Sequence, residues 1–109
     1  MEATKIKKRQ EYQFVFANGK KINSKNFNIQ YLNTKAMNVR IGITASKKLG
    51  NAVKRNFIKR RIKSLTRIVL TQNYTSYKDY VIVGKKGIVT EKFDNLYSEL
   101  KNIIKKIEK

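Results

Sequence analysis

The chain has no cysteine, no histidine and no proline. Without cysteine there is no disulfide framework, and nothing ties the protein to an oxidising compartment. Without Cys and His, a zinc site is excluded, as is thiol, Ser-His or histidine acid-base catalysis. Turns must be made by Gly and Asn, and Gly itself is scarce, at 5 of 109 residues. No apolar run approaches the roughly 20 residues of a membrane span. The opening "MEATKIKKRQ" lacks the apolar core of a signal peptide. A cytoplasmic protein of one domain, residues 1–109, is the expectation.

Acid is the other shortage. Asp and Glu total 7 against 26 Lys and Arg, a net charge of +19. No acid occurs from Tyr12 to Lys78, a run that holds 15 Lys or Arg. Such a chain repels itself unless a polyanion neutralises it. Nucleic acid is the first candidate and an anionic membrane surface the second. A membrane-surface helix needs a broad apolar face free to insert, whereas the basic helix here needs that face for the core. Nuclease chemistry carried by bound metal needs several carboxylates, and the middle of the chain has none. No catalytic residue and no metal site is expected.

What is present is periodic. "RQEYQFVFANGKK" reads as a helix with Tyr12, Val15 and Phe16 at i, i+3, i+4 and a stop at Asn18-Gly19. Those aromatics are either core or a platform on which unpaired bases stack beside Lys20, Lys21 and Lys25. Phe14 lies off that face. "NFNIQYL" alternates, with Phe27, Ile29 and Tyr31 opposite Asn28 and Gln30. After a polar turn, "VRIGITAS" alternates through Val39, Ile41, Ile43 and Ala45. These two strands are expected to pair antiparallel. "YVIVG" reads as a buried strand, "QNYTSYKD" and "KKGIVT" as loops. A last helix is expected from about Glu91 to Lys106, with Phe93, Tyr97, Leu100, Ile104 and Ile107 on its stripe. The fold class is α+β, an α-β sandwich of order α-β-β-(β)-α-β-α, with the optional strand near Ile22.

The densest charge lies in "KKLGNAVKRNFIKRRIKSLTR", Lys47 to Arg67, where 9 of 21 residues are basic and none is acidic. Ile58, Ile62, Leu65 and Val69 form a core stripe on a helix of about Ala52 to Leu70. Arg55, Lys59, Lys63 and Arg67 step by four along one side, and Arg60 extends them round the back. Like charges four apart destabilise a helix, so the ridge points to an anion. Cations at this spacing suit backbone phosphates. The face offers Asn56 as its only amide, too little for reading DNA bases in the major groove. Folded RNA fits better. Gly50-Asn51 precedes the helix, where Gly50 supplies a turn or lets a phosphate approach the helix N-terminus.

The motif "KKLGNAVKRNFIKRRIK" resembles the signature of the protein subunit of bacterial ribonuclease P. "YQFVFANGK", "RIGITASKK" and "DYVIVGKKG" support the likeness, which spans about Ile6 to Ile107. The resemblance implies a left-handed β-α-β crossover. It implies a ribonucleoprotein that removes the 5′ leader of precursor tRNA, an endonuclease whose hydrolysis is carried by the RNA subunit with magnesium ions. The implied partners are that RNA and precursor tRNA, with no membrane and no obligate protein partner. Carried over by position, the RNA-facing motif falls on Arg55, Asn56, Lys59, Arg60 and Lys63, and the basic segment itself adds Lys47, Lys48, Asn51, Lys54, Arg61 and Arg67 as expected RNA contacts. The implied leader cleft holds Tyr12, Phe16 and either Gln30 or Tyr31, which alternation sends to opposite faces, and Lys21, just after the first helix, is expected beside it. Two substitutions depart from the pattern. Phe57 stands where the family has Arg, and Arg61, one turn on, is expected to supply the missing charge. Lys63 keeps a charge but loses the fork of an Arg. The rival readings are a stand-alone basic RNA-binding module of ribosomal-protein or RNA-chaperone type and a self-sufficient RNA-processing enzyme.

Overall fold

A computed structural model describes residues 4–34, 39–70 and 78–108. The elements follow in the order β1 (Thr4–Lys5), α1 (Arg9–Asn18), β2 (Lys20–Asn23), β3 (Phe27–Asn33), β4 (Arg40–Ala45), α2 (Ala52–Val69), β5 (Lys78–Gly84) and α3 (Phe93–Glu108). Short 3₁₀ turns at Lys47–Leu49 and Lys86–Val89 precede α2 and α3. The expected order is present, with β1 added at the front. The fold class is the α+β sandwich expected from the pattern.

The strands form one mixed sheet in the order β1-β4-β5-β3-β2. This corrects one expectation: β3 and β4 do not pair. β5 lies between them, antiparallel to β3 and parallel to β4. It takes the centre because its apolar run can be buried on both faces, and its residues from Lys78 to Ile82 are all buried. The strand also begins two residues before "YVIVG", so Lys78 and Asp79 belong to the ladder and not to a loop. β4, α2 and β5 make a crossover between adjacent parallel strands. The remainder of the loop expected before β5, and most of the polar turn before β4, lie outside the described residues.

The two faces of the sheet are unequal. Phe27 and Ile29 of β3, Val39 and Ala45 at β4, and Tyr80 and Ile82 of β5 share the main core with Ile58, Ile62, Leu65 and Val69 of α2. The α2 stripe is as read from the sequence. α3 completes this core, but its buried positions are Leu96, Leu100, Ile103, Ile104 and Ile107. Phe93, expected on that stripe, is 37% exposed. The helix begins two residues later than expected, and Phe93 falls in its first turn, short of the core. The opposite face carries a smaller cluster of Ile6, Val15 and Val81, with Tyr12, Leu32 and Val83 against it. Among the described helices, α1 alone covers this side, with Ile6 of the segment before it.

Polar clamps fix the layers. Arg40 of β4 donates to Asp79 of β5 through Nε (2.8 Å) and Nη2 (2.6 Å), and to Glu11 of α1. Asp79 first and Glu11 second stabilise the charged guanidinium and raise its pKa. On the other face Glu99 of α3 accepts from Ser24 Oγ (2.5 Å), Asn26 N (2.8 Å) and Asn26 Nδ2 (2.8 Å), which ties α3 to the β2–β3 turn.

Candidate nucleic-acid interface

The segment before α2 is built to start a helix without proline or acid. Ser46 Oγ accepts from Lys48 N (3.2 Å), opening the 3₁₀ turn. Gly50 then adopts φ 132°, a region L side chains rarely enter. Asn51 follows as N-cap, its Oδ1 accepting from Lys54 N at 3.0 Å. Lys47, Lys48, Asn51 and Lys54 are all exposed here.

Along α2, Asn56, Lys59, Arg60 and Arg67 are exposed, and Arg55 and Lys63 are half-buried. Arg55 Nε is buried and makes no hydrogen bond. Lys63 has a neighbour that the sequence pattern missed. Lys5 of β1 lies against it and, with Arg67, holds the Lys63 ammonium below its ordinary pKa. β1 brings Lys5 there by pairing with β4, Lys5 opposite Ile41. A two-residue strand leaves no periodicity to detect, so only the buried Ile6 beside it marks the segment.

Arg61 stands apart from the other basic residues. Its Nη1 donates to the Ile88 carbonyl at 2.6 Å, and its guanidinium lies 5.8 Å from the centre of the Phe57 ring. It is half-buried on the flank of α2 that faces α3, away from the ridge of Arg55, Lys59, Lys63 and Arg67. Besides the charge expected of it in place of the residue at Phe57, Arg61 thus has a place in the fold. One of its donors is committed to joining α2 to the 3₁₀ turn before α3.

The second candidate surface lies under α1. Val15 is the helix's anchor, fully buried on Val81. Tyr12 sits over β4 half-buried, and burial raises its phenol above the ordinary pKa while the Ile43 backbone works the other way. Phe16 stays 39% exposed. The Tyr12 and Phe16 rings are 6.5 Å apart, inclined at 46°. Phe14 points away from them and is exposed.

Register resolves the choice between Gln30 and Tyr31. Lys21 opposes Gln30, which opposes Val81, which opposes Gly42. Val81 belongs to the α1-side cluster, so this whole row faces α1. Gln30 is thus in the cleft beside Tyr12 and Phe16, with Lys21 at its rim. Tyr31 packs on the main core instead. The next row places Asn28 opposite Val83. The side-chain oxygens of both Asn28 and Gln30 are buried and accept no hydrogen bond. Asn28 was the missed member, although its place two residues before Gln30 on one strand was there to be read.

Among the described residues, no group of three or more His, Cys, Asp or Glu side chains is placed to hold a metal ion. No described helix is long and apolar enough to cross a membrane.

The Ribonuclease P family model matches residues 1–108. The ribonuclease P protein component of Streptococcus agalactiae is 37% identical over 103 residues, covering 93% of this chain and 91% of the relative. The same component from Streptococcus pyogenes is 31% identical over 101 residues, covering 93% and 83%. The RNase P protein of Staphylococcus aureus superposes with a TM-score of 0.80 at 28% identity, covering 98% of this chain and 97% of that one. The Thermotoga maritima protein gives 0.84 at 23% identity, a likeness of fold, covering 96% and 98%. With its acid-free basic helix and its half-covered sheet, this chain belongs to the ribonuclease P protein family, the protein subunit of the ribonucleoprotein that processes the 5′ end of tRNA.

Proposed function

We propose that the two surfaces divide the work of the holoenzyme. α2 docks on the RNA subunit, and the cleft under α1 holds the single-stranded 5′ leader of precursor tRNA. The observation that carries this reading is the inequality of the sheet's faces. One is sealed by α2 and α3, leaving α2 to present its cations outward. The other is roofed, among the described helices, by α1 alone, with exposed aromatic surface beside unsatisfied amides.

On α2 the contacts are electrostatic. Lys47, Lys48, Lys54, Arg55, Lys59, Arg60, Lys63 and Arg67 neutralise phosphates, with Asn51 and Asn56 beside them. Arg forks bind phosphate oxygens in pairs, and each neutralised phosphate steepens the salt dependence. In the cleft, Phe16 and Tyr12 offer ring faces to leader bases. Gln30 and Asn28 offer amide groups to base edges, and Lys21 meets the backbone. The protein contributes position and charge neutralisation. Hydrolysis and the magnesium ions it needs belong to the RNA subunit, and this chain binds no cofactor by itself.

The test is cleavage of precursor tRNA by ribonuclease P RNA at near-physiological magnesium, with and without the protein. The protein alone should cleave nothing and should raise the rate of the RNA. Phe16→Leu should weaken leader-bearing precursor by roughly 1–3 kcal/mol per lost stacked base and leave mature tRNA unchanged. A protein that cleaves alone, or fails to stimulate the RNA, would sink this reading.

A further inference from the structure

Opposite the ridge, on the flank of α2 that faces α3, the chain exposes apolar surface that neither core uses. Phe57 is 39% and Phe93 37% exposed, and they line one open groove of about 460 Å³ with Arg60, Arg61 and Ser64. Arg61 braces one side of the groove. Arg61 stacks at 5.8 Å on the Phe57 ring while its Nη1 fixes it to the Ile88 carbonyl beside the start of α3. Arg60 remains exposed at the rim, on the back of the helix, where the ridge continues into the groove.

We infer that this groove is a stacking site for one unpaired base of the RNA subunit, the base lodged between Phe57 and Phe93 and its phosphate held by Arg60. The inference rests on the proposed docking of α2 on RNA. Two flat rings beside an anchored Arg61 and an exposed Arg60 match what an extruded nucleotide presents, a π face and a charged phosphate. The Ser64 hydroxyl can donate to or accept from the base edge. Charge selects the occupant. A second copy of the chain would bring another +19 against Arg60 and Arg61, and like charges at a contact disfavour it. RNA brings the opposite sign. The site is independent of the cleft under α1, which lies on the other side of the sheet.

The experiment measures binding of the full-length protein to ribonuclease P RNA across a salt series. Phe93→Leu keeps apolar bulk and removes the ring face; it should weaken binding about tenfold, the equivalent of one stacked base. Its salt slope should equal that of the wild type, because no phosphate contact is lost. Phe93→Tyr should restore the affinity. Arg60→Ala should instead lower the slope by about one. Phe93→Leu should melt within a few degrees of the wild type, since the ring lies outside the core. A photoreactive benzoylphenylalanine at position 93 should cross-link to an unpaired nucleotide of the RNA. Unchanged affinity in Phe93→Leu would overturn the inference. So would a wild-type dimer in sedimentation that Phe93→Leu converts to monomer, which would assign the groove to a second copy. Wild-type protein that neither binds nor stimulates the RNA would overturn the docking of α2 itself, a failure distinct from a wild type that binds and a Phe93→Leu that binds equally well.

Discussion

Tyr12 rests directly on the backbone of Gly42. A Cβ built on Gly42 would lie 2.5 Å from Tyr12 Cε1, 2.8 Å from Cζ and 2.9 Å from the hydroxyl oxygen. The cleft wall therefore depends on a missing methyl group three elements away. Gly42→Ala should push the ring off the sheet, at a cost of about 1–3 kcal/mol in stability as for other overpacked sites. Affinity for leader-bearing precursor should fall more than affinity for mature tRNA. Equal loss for both would show that Tyr12 only seals the sheet. The measurement is the ratio of the two dissociation constants, beside a thermal melt.

Arg61 is bound to the fold as well as to its neighbour Phe57. Arg61→Ala removes the donor to the Ile88 carbonyl at 2.6 Å, and a buried acceptor left unpaired costs about 1–3 kcal/mol. The melting temperature should drop by several degrees. The salt slope of RNA binding should change by less than the unit expected for Arg60→Ala. A slope change of a full unit with no loss of melting temperature would restore Arg61 as a plain phosphate contact.

Acid should loosen α1. Glu11 accepts from the Lys8 backbone amide at 3.1 Å and pairs with Arg40. The Lys8 bond first, then Arg40, holds its carboxyl below the usual carboxylate range. A carboxyl whose folded pKa is depressed contributes stability that is present above its unfolded pKa and lost as the pH falls through the folded one. The wild type should thus lose stability from about pH 5 downward. Glu11→Gln should be less stable at pH 7 and show a shallower acid limb. Circular dichroism melts at pH 7, 5 and 3 decide it; parallel curves for the two proteins would remove Glu11 from the account.

Anions should stabilise the free protein. Lys5, Lys63 and Arg67 are gathered at one end of the ridge, close enough for Lys63 to feel both neighbours. A ligand that binds only the folded state raises stability by mass action. Millimolar sulfate or pyrophosphate should raise the melting temperature more than chloride at equal ionic strength. Lys5→Ala should reduce that difference. Equal effects of the salts would leave only general screening.

Local pattern determined a good deal. The 3.6-residue spacing of Ile58, Ile62, Leu65 and Val69 was enough to place α2, because one helix buries one stripe and solvates the rest. The spacing of cations along it made an outward-facing basic ridge legible for the same reason. The alternation in "NFNIQYL" separated Gln30 from Tyr31, since neighbours in a strand point to opposite faces. Which face met α1 was not in that alternation. It followed from pairing with β5, whose Val81 fixes the row from Lys21 to Gly42. Strand order was decided the same way. β3 and β4 are consecutive in the chain, and a local reading pairs them; the two-sided burial of β5 inserts it between them. Phe93 shows the same limit at the level of one side chain. Its spacing suits the α3 stripe, but its distance from the core depends on where the helix begins against the sheet. The groove it forms with Phe57 joins residues 36 positions apart. Only the packing of α2 beside α3 brings those rings together, because periodicity records which side of an element is buried and carries no record of what is packed against it.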